Sequence, residues 1–369
     1  MQAIGLYIHV PFCQGKCPYC DFYSLSSDSD TYSQYTQKVC EELRRWGTRL
    51  MRPADTLYFG GGTPSLLGGE NISQIIKTAQ NAFGLEHAEI TLECNPSNPM
   101  DILLPAAVSA GVNRVSFGLQ SAINDERRAL GRKASAQDVL QGIQTARTAG
   151  IKNISLDLML GIPGQTMDSL KTSVNFCIHA GVTHVSAYLL KIEEGTPFFQ
   201  KQQQLNLPEE DMVCDYYLET CSLLEKAGFQ QYEISNFSLP GYESRHNIKY
   251  WNGEEYLGIG PSAHSFLGCQ RFYYPRGLQQ FLDGSLLPIS DGDGGSFEEY
   301  AMLRLRLTKG LENNLVQERF GHPIPAAFYS RCIPFAERGL LYADDTGIRF
   351  TKEGFLLSNT LIGAILIDE

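Results

Sequence analysis

At 369 residues, with 43% hydrophobic and 19% charged residues, the chain has an ordinary globular composition and the length for one large domain or two smaller ones. That excludes disordered and collagen-like classes. The formal net charge of −11 counts against broad contact with a phosphate backbone, so nucleic acid is not an expected partner.

From the N-terminus, short apolar runs alternate with longer amphipathic ones. Strands are predicted over 6–10, 56–59, 89–93, 114–117, 154–158 and 184–190, and helices over 32–49, 71–83, 101–110, 136–149 and 168–180. Strand–helix–strand order implies parallel strands with right-handed crossovers. Six such strands predict an α/β fold built on a partial (β/α)6 barrel, since eight close a full one. Gly111, Gly150 and Gly181 end helical runs. A polar break at 199–204 precedes a helix over 208–226 whose acidic start suits the helix dipole. Then come a strand over 231–234, the stretch Arg245-His246-Asn247-Ile248-Lys249-Tyr250-Trp251, a glycine-rich turn at 258–262 and a surface loop at 291–295. The end reads as a smaller α+β module of winged-helix type, with a helix over 297–307, a hairpin of 340–342 with 348–350, and an apolar helix from Lys352 towards Ile367. The expected organisation is a barrel domain over 1–230, a connecting region over 231–296 and the C-terminal module over 297–369.

In a β/α barrel the chemistry gathers at the C-terminal ends of the strands. Here the first strand runs into Cys13-Gln14-Gly15-Lys16-Cys17-Pro18-Tyr19-Cys20. Thiolates are soft ligands that select zinc, copper(I) or iron–sulfur clusters. A structural zinc site wants four closed ligands, and no fourth Cys or His follows nearby. A cubane held by three thiolates leaves one iron open to a small molecule. The other strand ends carry Gly60-Gly61-Gly62-Thr63-Pro64, Glu93-Cys94-Asn95-Pro96, Gly118-Leu119-Gln120-Ser121 and Asp157, so polar or glycine-rich tips converge on one rim. The remaining cysteines are scattered and form no disulfide framework, and the start has no basic leader, so a reducing, cytoplasmic setting is expected. No apolar stretch approaches the roughly 18 residues of a transmembrane segment.

The cysteine spacing, the Gly-Gly-Gly-Thr-Pro turn and the strand-end residues together resemble the radical S-adenosylmethionine superfamily. The opening Tyr7-Ile8-His9-Val10-Pro11-Phe12-Cys13 is similar to that of its coproporphyrinogen III dehydrogenase-like branch. The resemblance implies a 4Fe–4S cluster on Cys13, Cys17 and Cys20, with the open iron chelated by S-adenosylmethionine. It implies that Gly61 and Gly62 let the backbone approach the cofactor's methionine end, that the Thr63 hydroxyl bonds there, and that Glu93 adds a carboxylate. Gln120, Arg132 and Asp157 match positions that line an S-adenosylmethionine site in the oxidase of that branch. A guanidinium suits a carboxylate there, and an Asp suits ribose hydroxyls or an ammonium. Tyr7 and Tyr19 flank the cluster, either on the cofactor or in the core. His9 is either structural or part of the site, and His264 carries no assigned role.

The Arg-His-Asn-x-x-Tyr-Trp stretch is similar to that of the haem-chaperone members of the branch. This implies His246 as a haem ligand with Tyr250 and Trp251 on the porphyrin face, and haem and haem-accepting proteins as partners. Two departures from the oxidase bear on activity. The oxidase has a further cysteine two residues after its last cluster ligand, where this chain has Phe22, and an extension before its first strand, which here begins at Leu6. Both favour haem binding and delivery over radical decarboxylation of coproporphyrinogen III, which stays as the alternative.

Overall fold

The computed structural model describes residues 2–366. Six strands expected from the sequence are present as β1 (Ile4–Val10), β2 (Ala54–Gly61), β3 (Glu89–Cys94), β4 (Arg114–Gln120), β5 (Asn153–Leu160) and β6 (His184–Leu189). They lie side by side in chain order, all parallel. The crossovers carry α1 (Ser29–Leu50), α2 (Gly68–Phe83), α3 (Met100–Ala110), α4 (Asn124–Ala129), α5 (Ala136–Thr148) and α6 (Met167–His179). The short α4 lacks enough periodicity to announce itself in sequence. Helix starts are set locally. Asp28 accepts from the Thr31 amide at the head of α1, and Ser135 and Thr166 form capping boxes on α5 and α6.

The two faces of the sheet differ. Register aligns Leu6 with Leu57 and Ile8 with Phe59, all fully buried apolar groups. The alternating positions align Gly5 with Thr56 and Tyr7 with Tyr58, so the opposite, inner face is polar and aromatic. Parallel strands are covered on both sides. Here helices cover the first face, and a polar layer fills the second.

Beyond β6 the chain forms α7 (Pro197–Gln200) and α8 (Glu210–Lys226), then returns to the sheet. The strand expected over 231–234 is only β7 (Gln230–Gln231), and the next strand is β8 (Asn236–Ser238). β8 pairs antiparallel with β6, and β7 with β8. After α9 (Arg245–Trp251) come β9 (Tyr256–Ile259), β10 (His264–Leu267), β11 (Gln270–Tyr273) and β12 (Ile289–Asp293). β9 adds in parallel beside β1, and β10 to β12 continue outward antiparallel. Residues 231–296, expected to connect two domains, therefore extend both edges of one open sheet. The glycine turn at 258–262 begins inside β9, and the predicted surface loop at 291–295 overlaps the exposed edge strand β12. Short polar strands at an edge carry little apolar signal, which is why they read as loop.

The C-terminal module has a small antiparallel sheet of Leu311–Glu312, Gly347–Phe350 and Leu341–Asp344, in that spatial order. Leu341 faces Phe350, as the predicted hairpin requires. The final predicted helix is two pieces, Lys352–Leu356 and Ser358–Leu366, and its expected end at Ile367 lies outside the described residues. No helix among the described residues is long and apolar enough to cross a membrane.

Leu257 is fully buried on β9, far from the first six strands in sequence but inside the same core. Leu257→Ala should cost about 2–5 kcal/mol and lower the midpoint of one shared urea transition. A separate early transition would show that the added edge folds as its own unit.

Candidate functional site

The cysteine loop leaves the C-terminal end of β1 and is closed at its base. Phe12 and Leu25 form a β-bridge, with the Cys13 amide donating to Leu25 O at 3.0 Å and the Leu25 amide to Pro11 O at 2.8 Å. All three thiols are free and half-buried. Burial pushes the Cys20 thiol above its ordinary pKa, and the nearby Cys17 and Cys13 sulfurs add to the shift. Among the described residues no three His, Cys, Asp or Glu side chains are arranged to hold a single metal ion. Three thiols on one pinned loop are a set of soft donors.

The glycine turn after β2 rests on this loop. The Gly62 amide donates to Val10 O at 2.8 Å and the Thr63 amide to Phe12 O at 2.7 Å. A Cβ on Gly62 would sit 2.5 Å from Phe12 O, and one on Gly61 (φ 107°) would sit 2.7 Å from the His9 ring. What the missing side chains admit in this structure is the protein's own loop. Thr63 Oγ1 lies 3.3 Å from Cys13 Sγ. His9 braces the loop from below. Its Nε2–H donates to Tyr23 O at 3.0 Å, so Nδ1 is the unprotonated nitrogen and accepts from the Tyr7 hydroxyl at 3.1 Å.

Arg132 is half-buried beside the cysteine loop. Its Nη2 donates to Gly118 O at 2.8 Å, and its Nη1 lies 4.0 Å from Cys17 Sγ. A Cβ on the preceding Gly131 would meet Pro18 at 2.9 Å, so this loop also leans on the cysteine loop. Gln120 ends β4 beside Arg132 in the left-handed region, at φ 65°, unusual for a residue with a Cβ. Tyr19 packs against a small apolar cluster of Leu130, Met159, Ile162 and Phe198.

Below the rim lies the polar inner layer. Glu93 Oε1 accepts from the Tyr58 hydroxyl at 2.8 Å. Burial, then the charge of Asp157, pushes the Glu93 carboxyl up to about 7. Asp157 Oδ1 accepts from Ser116 at 3.0 Å, and burial raises its carboxyl too. Tyr58, Ser116 and Tyr250 are contributors that the sequence reading missed or placed otherwise. The signal for Tyr58 was available, because it shares a strand face with Thr56 and Gly60.

His246, expected as a haem ligand, is buried and engaged within the protein. It is only 1% exposed on α9. Its Nδ1 is 2.8 Å from Thr56 Oγ1, its Nε2 is 2.7 Å from the Tyr250 hydroxyl, and its ring stacks on Tyr58. With both nitrogens engaged, the ring offers iron no lone pair in this conformation. Burial, then Lys249, lowers its pKa to about 3, which keeps it neutral. The neighbouring Trp251 has different surroundings from Tyr250. It lies under the Arg306 guanidinium, whereas Tyr250 lines a cavity next to the cysteine loop.

The chain is similar to known proteins along its length. Residues 7–177 match the radical SAM superfamily and residues 297–357 the HemN C-terminal domain. The chain is 33% identical to the haem chaperone HemW of Bacillus subtilis, over 98% of each chain. It is 32% identical to zebrafish (Danio rerio) radical S-adenosyl methionine domain-containing protein 1, mitochondrial, over 99% of this chain and 87% of that one. Among solved structures it resembles the coproporphyrinogen III oxidase HemN of Escherichia coli, a radical SAM enzyme, with a TM-score of 0.83 at 22% identity, over 99% of this chain and 90% of that one. That likeness shows the shared fold.

Gly62→Ala must displace the cysteine loop, so iron and sulfide retained after anaerobic reconstitution should fall at least about twofold in a chain that still folds. Iron content equal to the parent's would mean that the loop tolerates the shift. Glu93 titrates higher folded than unfolded, so the native state holds its proton more tightly. Its contribution to stability is therefore present at low pH and lost as pH rises from its ordinary value to about 7. Glu93→Gln should flatten that part of the stability–pH curve, as measured by urea midpoints across the range.

Proposed function

The chain belongs to the haem chaperone HemW family of the radical S-adenosylmethionine superfamily, and from that premise we propose that it binds haem and hands it to acceptor haemoproteins. The observation that carries this reading is the full-length likeness to relatives named for haem chaperoning.

The family implies a 4Fe–4S cluster and S-adenosylmethionine, which supply radical chemistry when bound. We assign Cys13, Cys17 and Cys20 as the cluster's holders. The support is a three-thiol loop pinned at its base, with a hydroxyl and a guanidinium directed at its sulfurs. Gly61, Gly62 and Thr63 shape one side of the cofactor position. Glu93, whose carboxyl burial raises to about 7, pairs with an ammonium in its ionised form, which a neighbouring cation favours. Gln120, Arg132 and Asp157 form the opposite side, and Tyr7 and Tyr19 close the flanks. Arg132 also holds positive charge near Cys17, which offsets the negative charge of coordinated thiolates. His246 acts as a positioning residue in this reading. It fixes the Tyr250 hydroxyl at the cavity wall and ties α9 to β2.

Reconstituted protein should take up haem in near one-to-one ratio, seen as a Soret shift, and then lose it to an added apo-haemoprotein. Retention of the haem by this chain would remove the hand-off. Protoporphyrinogen formed from coproporphyrinogen III at catalytic turnover would replace the chaperone reading with the enzymatic one.

A further inference from the structure

Three histidines lie in the sheet's interior, and none is available to a ligand. His9 and His246 are engaged as described above, and His184 bonds Ser155 and Tyr232, each at 2.8 Å. His264 differs. It is exposed at the start of β10, it borders a cavity of 370 Å³, and neither of its ring nitrogens has a hydrogen-bond partner among the described residues. Its ring is nevertheless held in place. It stacks on Tyr273 at 5.1 Å and 19°, its direct cross-strand partner. The turn before it is tied down by the Ala263 amide on Gly260 O at 3.0 Å and the Ser262 amide on Tyr274 O at 2.9 Å.

The same cavity is bounded by Phe22, Tyr23, Tyr250, Tyr256 and Arg276. Phe22 is 65% exposed, a large apolar group left uncovered two residues past Cys20. Tyr250 and Tyr256 meet edge to face at 4.5 Å, giving an aromatic wall. Arg276 reaches Asp21 at 3.6 Å with both side chains mostly in solvent, a pairing weak enough for another carboxylate to replace. An imidazole with free nitrogens, flat aromatic surface and an available guanidinium are the three features that recognise an iron tetrapyrrole bearing carboxylate arms.

We propose that this cavity is the haem seat, with His264 as the iron ligand, Phe22 and Tyr250 against the ring, and Arg276 paired with a propionate. The assignment rests on the haem-binding reading above and replaces His246 as ligand. The cavity is at the low end of the roughly 300–1,000 Å³ typical of enclosing pockets, so the ring stays partly uncovered, as suits a cargo that must leave. Because Asp21 directly follows Cys20, a propionate that captures Arg276 frees a side chain at the edge of the cysteine loop. Cargo and cluster loop then share one contact.

The test uses the full reconstituted chain, with haem followed by Soret difference spectra and metal-free protoporphyrin IX by fluorescence. His264→Ala should lower the ratio of haem to metal-free affinity on the order of tenfold and move the Soret maximum. His264→Met, which offers a thioether in place of the imidazole, should give a third spectrum. Phe22→Ala should weaken both porphyrins alike, and Arg276→Ala should weaken both without moving the Soret maximum. His246→Ala should leave the Soret position in place, although it lowers the urea midpoint. If parent protein binds haem and His264→Ala matches it in ratio and spectrum, the seat is wrong and the chaperone reading stands. If parent protein shows no haem-dependent Soret shift, the chaperone reading falls, and this assignment falls with it.

Discussion

Two backbone hydrogen bonds, from Gly62 to Val10 and from Thr63 to Phe12, join the turn after the second strand to the loop after the first. They form only because Gly62 has no Cβ; any side chain there would overlap Phe12 O. The three cysteines depend on this contact. Their loop has no helix or strand of its own and is held by its neighbours: the glycine turn on one side, Gly131 against Pro18 on another, and the Phe198 amide bonding Pro18 O at 3.0 Å. A soft-ligand loop assembled in this way keeps its sulfurs half-exposed while its backbone is fixed, which preorganises it without burying it.

Beneath that contact the sheet's inner face is unusual for a parallel β structure. It carries tyrosines, histidines, carboxylates and Arg114, and few buried polar side-chain atoms among the described residues lack a partner, Arg114 Nε being one. Burial has opposite effects on the two classes of side chain. It raises Glu93 and Asp157 and lowers His184 and His246, so acids and imidazoles alike are driven toward their neutral forms. The layer therefore costs less to bury than its composition implies. It also leaves the Glu93 carboxyl raised to about 7, at the C-terminal end of β3.

The added edge strands change what the molecule can do on its β1 side. Because β9 pairs with β1, the turn after β9 and the loop after β1 face each other across a cavity. Phe22 and Arg276, over 250 positions apart in sequence, become neighbours of one space. Loops that meet across strand ends are where specificity varies on a shared scaffold. The fold itself is held in common with HemN.

Much of this was legible in the chain alone. Alternation of apolar strands with amphipathic helices predicted the six-stranded parallel core, because parallel strands buried on both faces leave long apolar runs. Cysteine spacing and glycine turns marked the rim, because thiol chemistry and absent Cβ atoms are properties of residue type. Strands β8 to β12 were hidden, being short and partly polar, and β9 is placed by pairing with β1, which lies at the other end of the chain. The state of each histidine was equally out of reach. His246 looked like the ligand because it stands in a motif, and His264 looked like nothing. Only the tertiary structure decided which ring has its lone pair spent on a neighbouring hydroxyl and which keeps it free, because the hydrogen bond to Thr56 exists only once α9 has docked on the sheet, and the one to Tyr250 only once α9 has formed.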